Sequence, residues 1–147
     1  MVRRRRTLQG LCTMNNLNWI KRDIEEIARV IDAPIHELLT FNISRDDGTP
    51  CIQIERDIIY YFAMDRGAVC MHKQTTDRMD LYYWVFKDVT HSMSLKYELR
   101  NRKDKSDFRR VLFEHQLELL GKINPVWATK LQKEIDEILE NYPYNDL

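Results

Sequence analysis

Glycine, cysteine and long apolar runs are all scarce in this chain of 147 residues, and each scarcity removes a class of chemistry. The four glycines, Gly10, Gly48, Gly67 and Gly121, stand apart from one another, so no glycine-rich loop can cradle a phosphate. Neither a GxSxG elbow nor a GxxxxGK[ST] loop is present. Cys12, Cys51 and Cys70 are odd in number and lack CxxC spacing. That argues against a disulfide frame and a zinc site, and it fits a reducing cytoplasmic location. The longest run of large apolar residues, 81–86, is far too short to span a bilayer, so no membrane partner is expected. The start, "MVRRRRTLQGLCTMNN", has a basic head with no apolar stretch behind it and does not read as a secretory signal. His36, His72, His91 and His115 fall in four different elements. His115 and Glu118 stand three apart, but no HExxH-like second ligand follows, so no metal is expected. Ser44, Ser92, Ser94 and Ser106 carry no partner signature. No catalytic set and no cofactor motif is legible in the sequence, which leaves open whether scattered carboxylates converge in space.

What the chain does have is a well-solvated, core-forming composition: 44% hydrophobic and 31% charged residues. Its length suits one domain. The formal net charge of zero hides an asymmetry. Arg3, Arg4, Arg5 and Arg6 sit in residues 1–13 with no acidic residue, while from Met14 onward 19 basic residues face 23 acidic ones. We therefore divide the chain into a basic leader, 1–13, and one domain, 14–147. The leader reads equally as native sequence or as an extension upstream of a start at Met14.

Periodicity orders the rest. Trp19, Ile20, Ile24, Ile27, Ala28 and Ile31 recur three and four apart and predict a helix over 17–32, ending before Pro34. Residues 40–50, "TFNISRDDGTP", read as loop. Three short strands are expected over 51–55, 58–64 and 68–74, joined by Arg56-Asp57 and by the three-residue loop Asp65-Arg66-Gly67. Links this short favour an antiparallel meander, with Gly67 supplying a positive φ. Thr76 or Asp77 caps a helix through Tyr82, Val85, Phe86, Val89, Met93 and Tyr97. Leu81, Tyr83 and Trp84 widen its apolar arc, as in a helix touched from more than one side. Ser106 or Asp107 caps the next helix, which Gly121 suits as an end. Asn124-Pro125 starts the last helix, lined by Trp127, Leu131, Ile135, Ile138, Leu139 and Tyr142 and closed by Pro143. The predicted fold is α+β: a small antiparallel three-stranded meander sheet, with one N-terminal and three C-terminal helices packed on it.

Two surfaces invite a functional reading. Arg100, Arg102, Lys103, Lys105, Arg109 and Arg110 cluster near the aromatics at 82–84, as in proteins that grip single strands. Asp104 and Asp107 interrupt that cluster, the aromatics have core spacing, and the acidic body repels phosphates, so no specific nucleic acid is expected. Acidic residues form two groups: Asp46, Asp47, Glu55 and Asp57 near the sheet, and Glu134, Asp136, Glu137, Glu140 and Asp146 on the last segment. They read either as ordinary solvation or as steering toward a basic partner.

The stretch from "MDRGAVCMHKQTTDRMDLYYWVF" to "YPYND" resembles the immunity protein 63 family of bacterial polymorphic toxin systems. The resemblance covers about residues 17–146. Its carriers are the Arg66-Gly67 turn, Thr75-Thr76 before "LYYWVF", and "YELRNR" from Tyr97 with Arg100 and Arg102. Asp107, Arg109, Arg110, Phe113, Trp127, Pro143 and Asp146 follow in order. Where the family's turn reads Glu-Arg-Gly, this chain has Asp65, one methylene shorter. The resemblance implies a cytosolic, non-enzymatic inhibitor that binds a cognate toxin's C-terminal domain, in many such systems a nuclease, as in contact-dependent growth inhibition. A small nucleic-acid-binding or nucleic-acid-processing protein is the alternative. On this reading the nine acidic residues above are candidates for contacting the toxin. The motif residues Arg66, Gly67, Tyr97, Arg100, Arg102, Asp107, Arg109, Arg110 and Trp127 are expected to be structural. For Arg100, Arg102, Asp107, Arg109 and Arg110 two roles stay open: an internal ion-pair network tying the long helix to the next, or part of the toxin-facing surface.

Overall fold

The computed structural model describes residues 15–147, an α+β arrangement of five helices and one four-stranded sheet. The basic leader, 1–13, and Met14 lie outside the described residues. The elements are α1 (Leu17–Val30), α2 (Ile35–Leu38), β1 (Thr40–Phe41), β2 (Asp47–Glu55), β3 (Ile58–Asp65), β4 (Ala68–Thr75), α3 (Arg78–Arg100), α4 (Phe108–Ile123) and α5 (Pro125–Asn141). They resolve into two compact units, one of residues 15–26 and 34–82, the other of 27–33 and 83–147. Helices α1 and α3 contribute residues to both.

The first unit holds the sheet, in the order β1-β2-β3-β4. The antiparallel meander forms from β2, β3 and β4. It is wider than three strands, because Thr40 and Phe41, expected in a loop, pair in parallel with Cys51 and Ile52. Two residues carry no readable period, so this strand is set by its neighbour. β2 also begins at Asp47 rather than Cys51. Gly48 and Pro50 read as breakers, but the pairing with β3 is irregular between Asp47 and Pro50, where such residues are tolerated. Gly48 takes φ +89° there, and the Pro50 carbonyl accepts from the Thr40 hydroxyl at 3.4 Å.

Asp65 pairs directly with Ala68, so the β3–β4 loop has two residues, not three. Arg66 and Gly67 both have positive φ, 55° and 79°, the pattern of a type I′ turn. On β3, Ile59, Tyr61 and Ala63 are buried while Ile58, Tyr60, Phe62 and Met64 on the other face are half-buried. The buried side chains join Ile20, Ile24, Ile52, Leu81 and Tyr82 in the core of this unit. Burial and the neighbouring Asp23 carboxylate, which accepts from its hydroxyl at 2.5 Å, hold the Tyr82 pKa far above its ordinary value.

α1 stops at Val30, two residues before the expected end. Asp32 enters the left-handed region at φ 55°, its N–H reaching the Arg29 carbonyl while that of Ala33 reaches Ala28. This is a Schellman stop with aspartate in the usual glycine position. The short α2 was not expected. Asp77 caps α3, accepting from the Met79 N–H at 2.9 Å. Leu81, Tyr82, Tyr83, Val85 and Phe86 are all buried, an arc too wide for a one-sided helix.

Asp107 caps α4 through the Arg109 N–H, as its sequence predicts. That helix does not end at Gly121 but continues to Ile123. A Cβ on Gly121 would lie 3.7 Å from the Ala128 Cβ, so the glycine sits where α5 comes close rather than at a cap. Asn124 ends α4 with its N–H on the Leu120 carbonyl, and starts α5 with its side chain on the Val126 N–H.

Candidate protein-binding surface

The junction of α3 and α4 gathers most of the cations singled out above, and it neutralises several of them internally. Glu98, on the last turns of α3, is buried, and Arg102 covers it with two bonds of 3.0 and 2.8 Å. That pairing lowers the Glu98 pKa. Asp107 is the hub of a second group. Its carboxylate accepts from the Arg109 N–H and guanidinium and from the Asn145 N–H. The Arg109 bonds hold it far below the usual carboxylate range. Arg109 also donates to the Tyr142 and Pro143 carbonyls, both at 2.9 Å. Arg110 grips Asp146 at 2.9 Å, and Asp146 in turn accepts from the Asp107 N–H at 2.7 Å. Arg110 lies 4.1 Å from the centre of the Tyr144 ring. The network thus clasps the C-terminal segment against the start of α4, while Arg102, just past the end of α3, pairs back onto Glu98 of that helix. Tyr97 stacks on His115 at 3.8 Å, nearly parallel, and burial lowers the His115 pKa.

A second cluster surrounds Tyr83. Its ring meets Trp127 edge-on at 6.2 Å, with Phe86 stacked on the same indole. The Tyr83 hydroxyl donates to Glu134 at 3.2 Å, and Lys87 pairs with Glu134 at 2.6 Å. Lys130 lies 4.3 Å from the centre of the Tyr83 ring. Burial first, then Glu134, raises the Tyr83 pKa well beyond the usual range.

The sheet acids separate into two ends. Asp46 binds the Gly67 N–H with both oxygens, at 2.8 and 3.1 Å, and so fixes the Arg66-Gly67 turn. Asp47 accepts from the Thr49 N–H, and hydrogen bonding by the Thr49 side chain first and its N–H second lowers the Asp47 pKa. Glu55 and Asp57 lie at the other end of β2, roughly 26 Å away at strand rise. Asp57 accepts from the Asn15 N–H at 2.7 Å, and the Asn15 side chain reaches the Asp57 and Thr76 carbonyls.

Of the nine acidic candidates, Asp46, Asp47, Asp57, Glu134 and Asp146 therefore hold internal contacts. Asp136 accepts from Gln132, one turn earlier. Glu55, Glu137 and Glu140 are exposed and form no ion pair among the described residues. Arg66 and Arg100 are exposed too. Sequence reasoning overlooked Tyr144 and Glu98, whose partners come from the fold. It also overlooked the second face of β3, although "IIYYFAM" is apolar at every position and so signals two covered faces. A shallow groove of about 660 Å³ runs over that face, lined by Gln53, Glu55, Tyr60, Phe62, Val69 and His72 among others.

Among the described residues no group of three or more His, Cys, Asp or Glu is placed to hold a metal ion, and no helix is long and apolar enough to cross a membrane. No curated protein and no solved structure matches the chain. The model of one family, described as Immunity protein 63, matches residues 56–137. That is narrower than the 17–146 of the resemblance; it runs from the β2–β3 turn through the Tyr83 cluster and the α3–α4 junction, stops short of the C-terminal segment that Arg109 and Arg110 hold, and includes Arg66, Gly67, Tyr97, Arg100, Arg102, Asp107, Arg109, Arg110 and Trp127. With more than half of its length matched, this chain belongs to the immunity protein 63 family.

Proposed function

We propose that the protein binds the C-terminal domain of a cognate secreted toxin in the producer's cytosol and neutralises it stoichiometrically. The observation that carries this reading is the family match over residues 56–137. The toxin is a nuclease with a basic substrate cleft, and the system is one of contact-dependent growth inhibition. Residues 14–147 act as one immunity domain without cofactor or catalysis. Exposed carboxylates, Glu55 on the sheet and Asp136, Glu137 and Glu140 on α5, steer the encounter. Asp47 adds a further exposed charge. Aromatic side chains at the interface centre supply most of the binding energy.

Internal pairing supports this reading over nucleic-acid binding. Arg102, Arg109 and Arg110 each hold a carboxylate of the same chain, which cancels half of the six-residue basic cluster. Co-expression with the toxin domain of the neighbouring reading frame tests the proposal. Growth should be rescued, and the two proteins should co-purify in equal amounts. Nuclease activity of the purified protein, or an RNA shift that survives physiological salt, would overturn it.

A further inference from the structure

We propose that the half-open face of β2, β3 and β4 is the toxin-docking surface, and that its occupant is a cationic segment of the toxin carrying an Arg or Lys between apolar side chains. This rests on the function proposed above and deepens it. β3 is apolar on both faces, yet only Ile59, Tyr61 and Ala63 are fully covered. Tyr60, Phe62 and Met64 remain half-exposed, and Val69 beside them on β4 is 61% exposed. An antiparallel sheet that met only water here would alternate with polar residues. A partner seated here would cover the half-exposed apolar side chains of β3 while meeting the polar Gln53, Glu55 and His72 of the flanking strands.

The charge of the groove selects the partner's chemistry. Among the described residues no Lys or Arg lines it, and Glu55 is the one carboxylate. Tyr60 and Phe62 add the negative faces of two aromatic rings, which attract a guanidinium or ammonium group. Tyr60 and His72 are already in tilted ring contact at 5.9 Å, so the aromatic surface is held in place before binding. Glu55 projects from the same end of the sheet as the turn that Asn15 pins through Asp57.

The test measures binding of the purified full chain to the purified cognate toxin domain by calorimetry, together with protection of growth. Val69→Asp and Glu55→Arg alter exposed positions, so folding should be kept; circular dichroism and unchanged melting verify this. Each variant should weaken binding about a hundredfold and abolish protection, in the range of an interface hot spot. Glu114→Lys, an exposed carboxylate on α4 with no part in the proposed binding, should change affinity less than about threefold. Wild-type binding with undiminished binding by both sheet variants would overturn the docking surface and leave the function standing. Absence of wild-type binding would overturn both. A wild-type dimer in solution that Val69→Asp dissociates would show a second copy on this face and overturn the proposal. So would tighter toxin binding by a chain beginning at Met14, which would assign the groove to the chain's own four arginines.

Discussion

Individual residues here are constrained by partners that lie far away in sequence. Ser94 is an exception: its hydroxyl is fully buried on α3 without a hydrogen-bond partner among the described residues. Ser94→Ala should therefore be neutral or stabilising, by up to about 1 kcal/mol, read from urea unfolding. Asp107 is the opposite case. Its side chain caps α4 and receives Arg109 and Asn145. Asp107→Ala should cost about 1–2 kcal/mol from the cap alone, with release of the C-terminal segment visible as faster amide exchange at 142–146. Arg109→Glu would set two carboxylates together and strip the Tyr142 and Pro143 carbonyls of their donor. Loss of folding in that variant marks the network as structural; loss of toxin binding in a folded variant marks it as interface.

At the scale of elements, two glycines make opposite predictions. Gly67 has φ +79° in the β3–β4 turn, and a Cβ there meets nothing within 4 Å. The cost of Gly67→Ala is then purely conformational, about 1–2 kcal/mol, measured by thermal unfolding. Gly121 lies inside α4, where a Cβ would make ordinary contact with Ala128. Gly121→Ala should stabilise by about 1 kcal/mol on the same measurement, through helix propensity. Sequence had read Gly121 as a helix end, a reasonable use of glycine that the neighbouring α5 overrides. It read Gly67 correctly because a turn glycine acts through local backbone geometry alone.

For the whole molecule, the ionisable groups define a window of stability. Asp107, Asp146, Glu98 and Asp47 all have lowered pKa values, chiefly through hydrogen bonds from Arg109, Arg110, Arg102 and Thr49. Their contribution is present above the unfolded carboxyl value of about 4 and is lost as pH falls toward the folded values. Burial lowers the His115 pKa as well, so a smaller loss should begin below about pH 6.5. Tyr82 and Tyr83 are shifted upward by burial and a neighbouring carboxylate. Their contribution is present below about pH 10 and lost as pH rises through the folded values. Melting temperature against pH should therefore show a plateau with both an acid and an alkaline limb. Asp107→Asn should flatten the acid limb, and Tyr83→Phe the alkaline one.

Local signals determined much of this protein without help from tertiary contacts. The 3-4 rhythm of Val85, Phe86 and Val89, the Asn124-Pro125 start and the Arg66-Gly67 bend each act within a few residues, so helices, meander and turns were legible. The residues that carry the family resemblance were legible too, because their order along the chain is itself the signal. Only the folded structure decided that Thr40 and Phe41 form a strand, that Gly121 continues a helix, and that Asp146 faces Arg110 while Glu55 faces solvent. The physical reason is range. Backbone preference and periodicity are properties of neighbours in the chain, whereas pairing and burial are properties of neighbours in space.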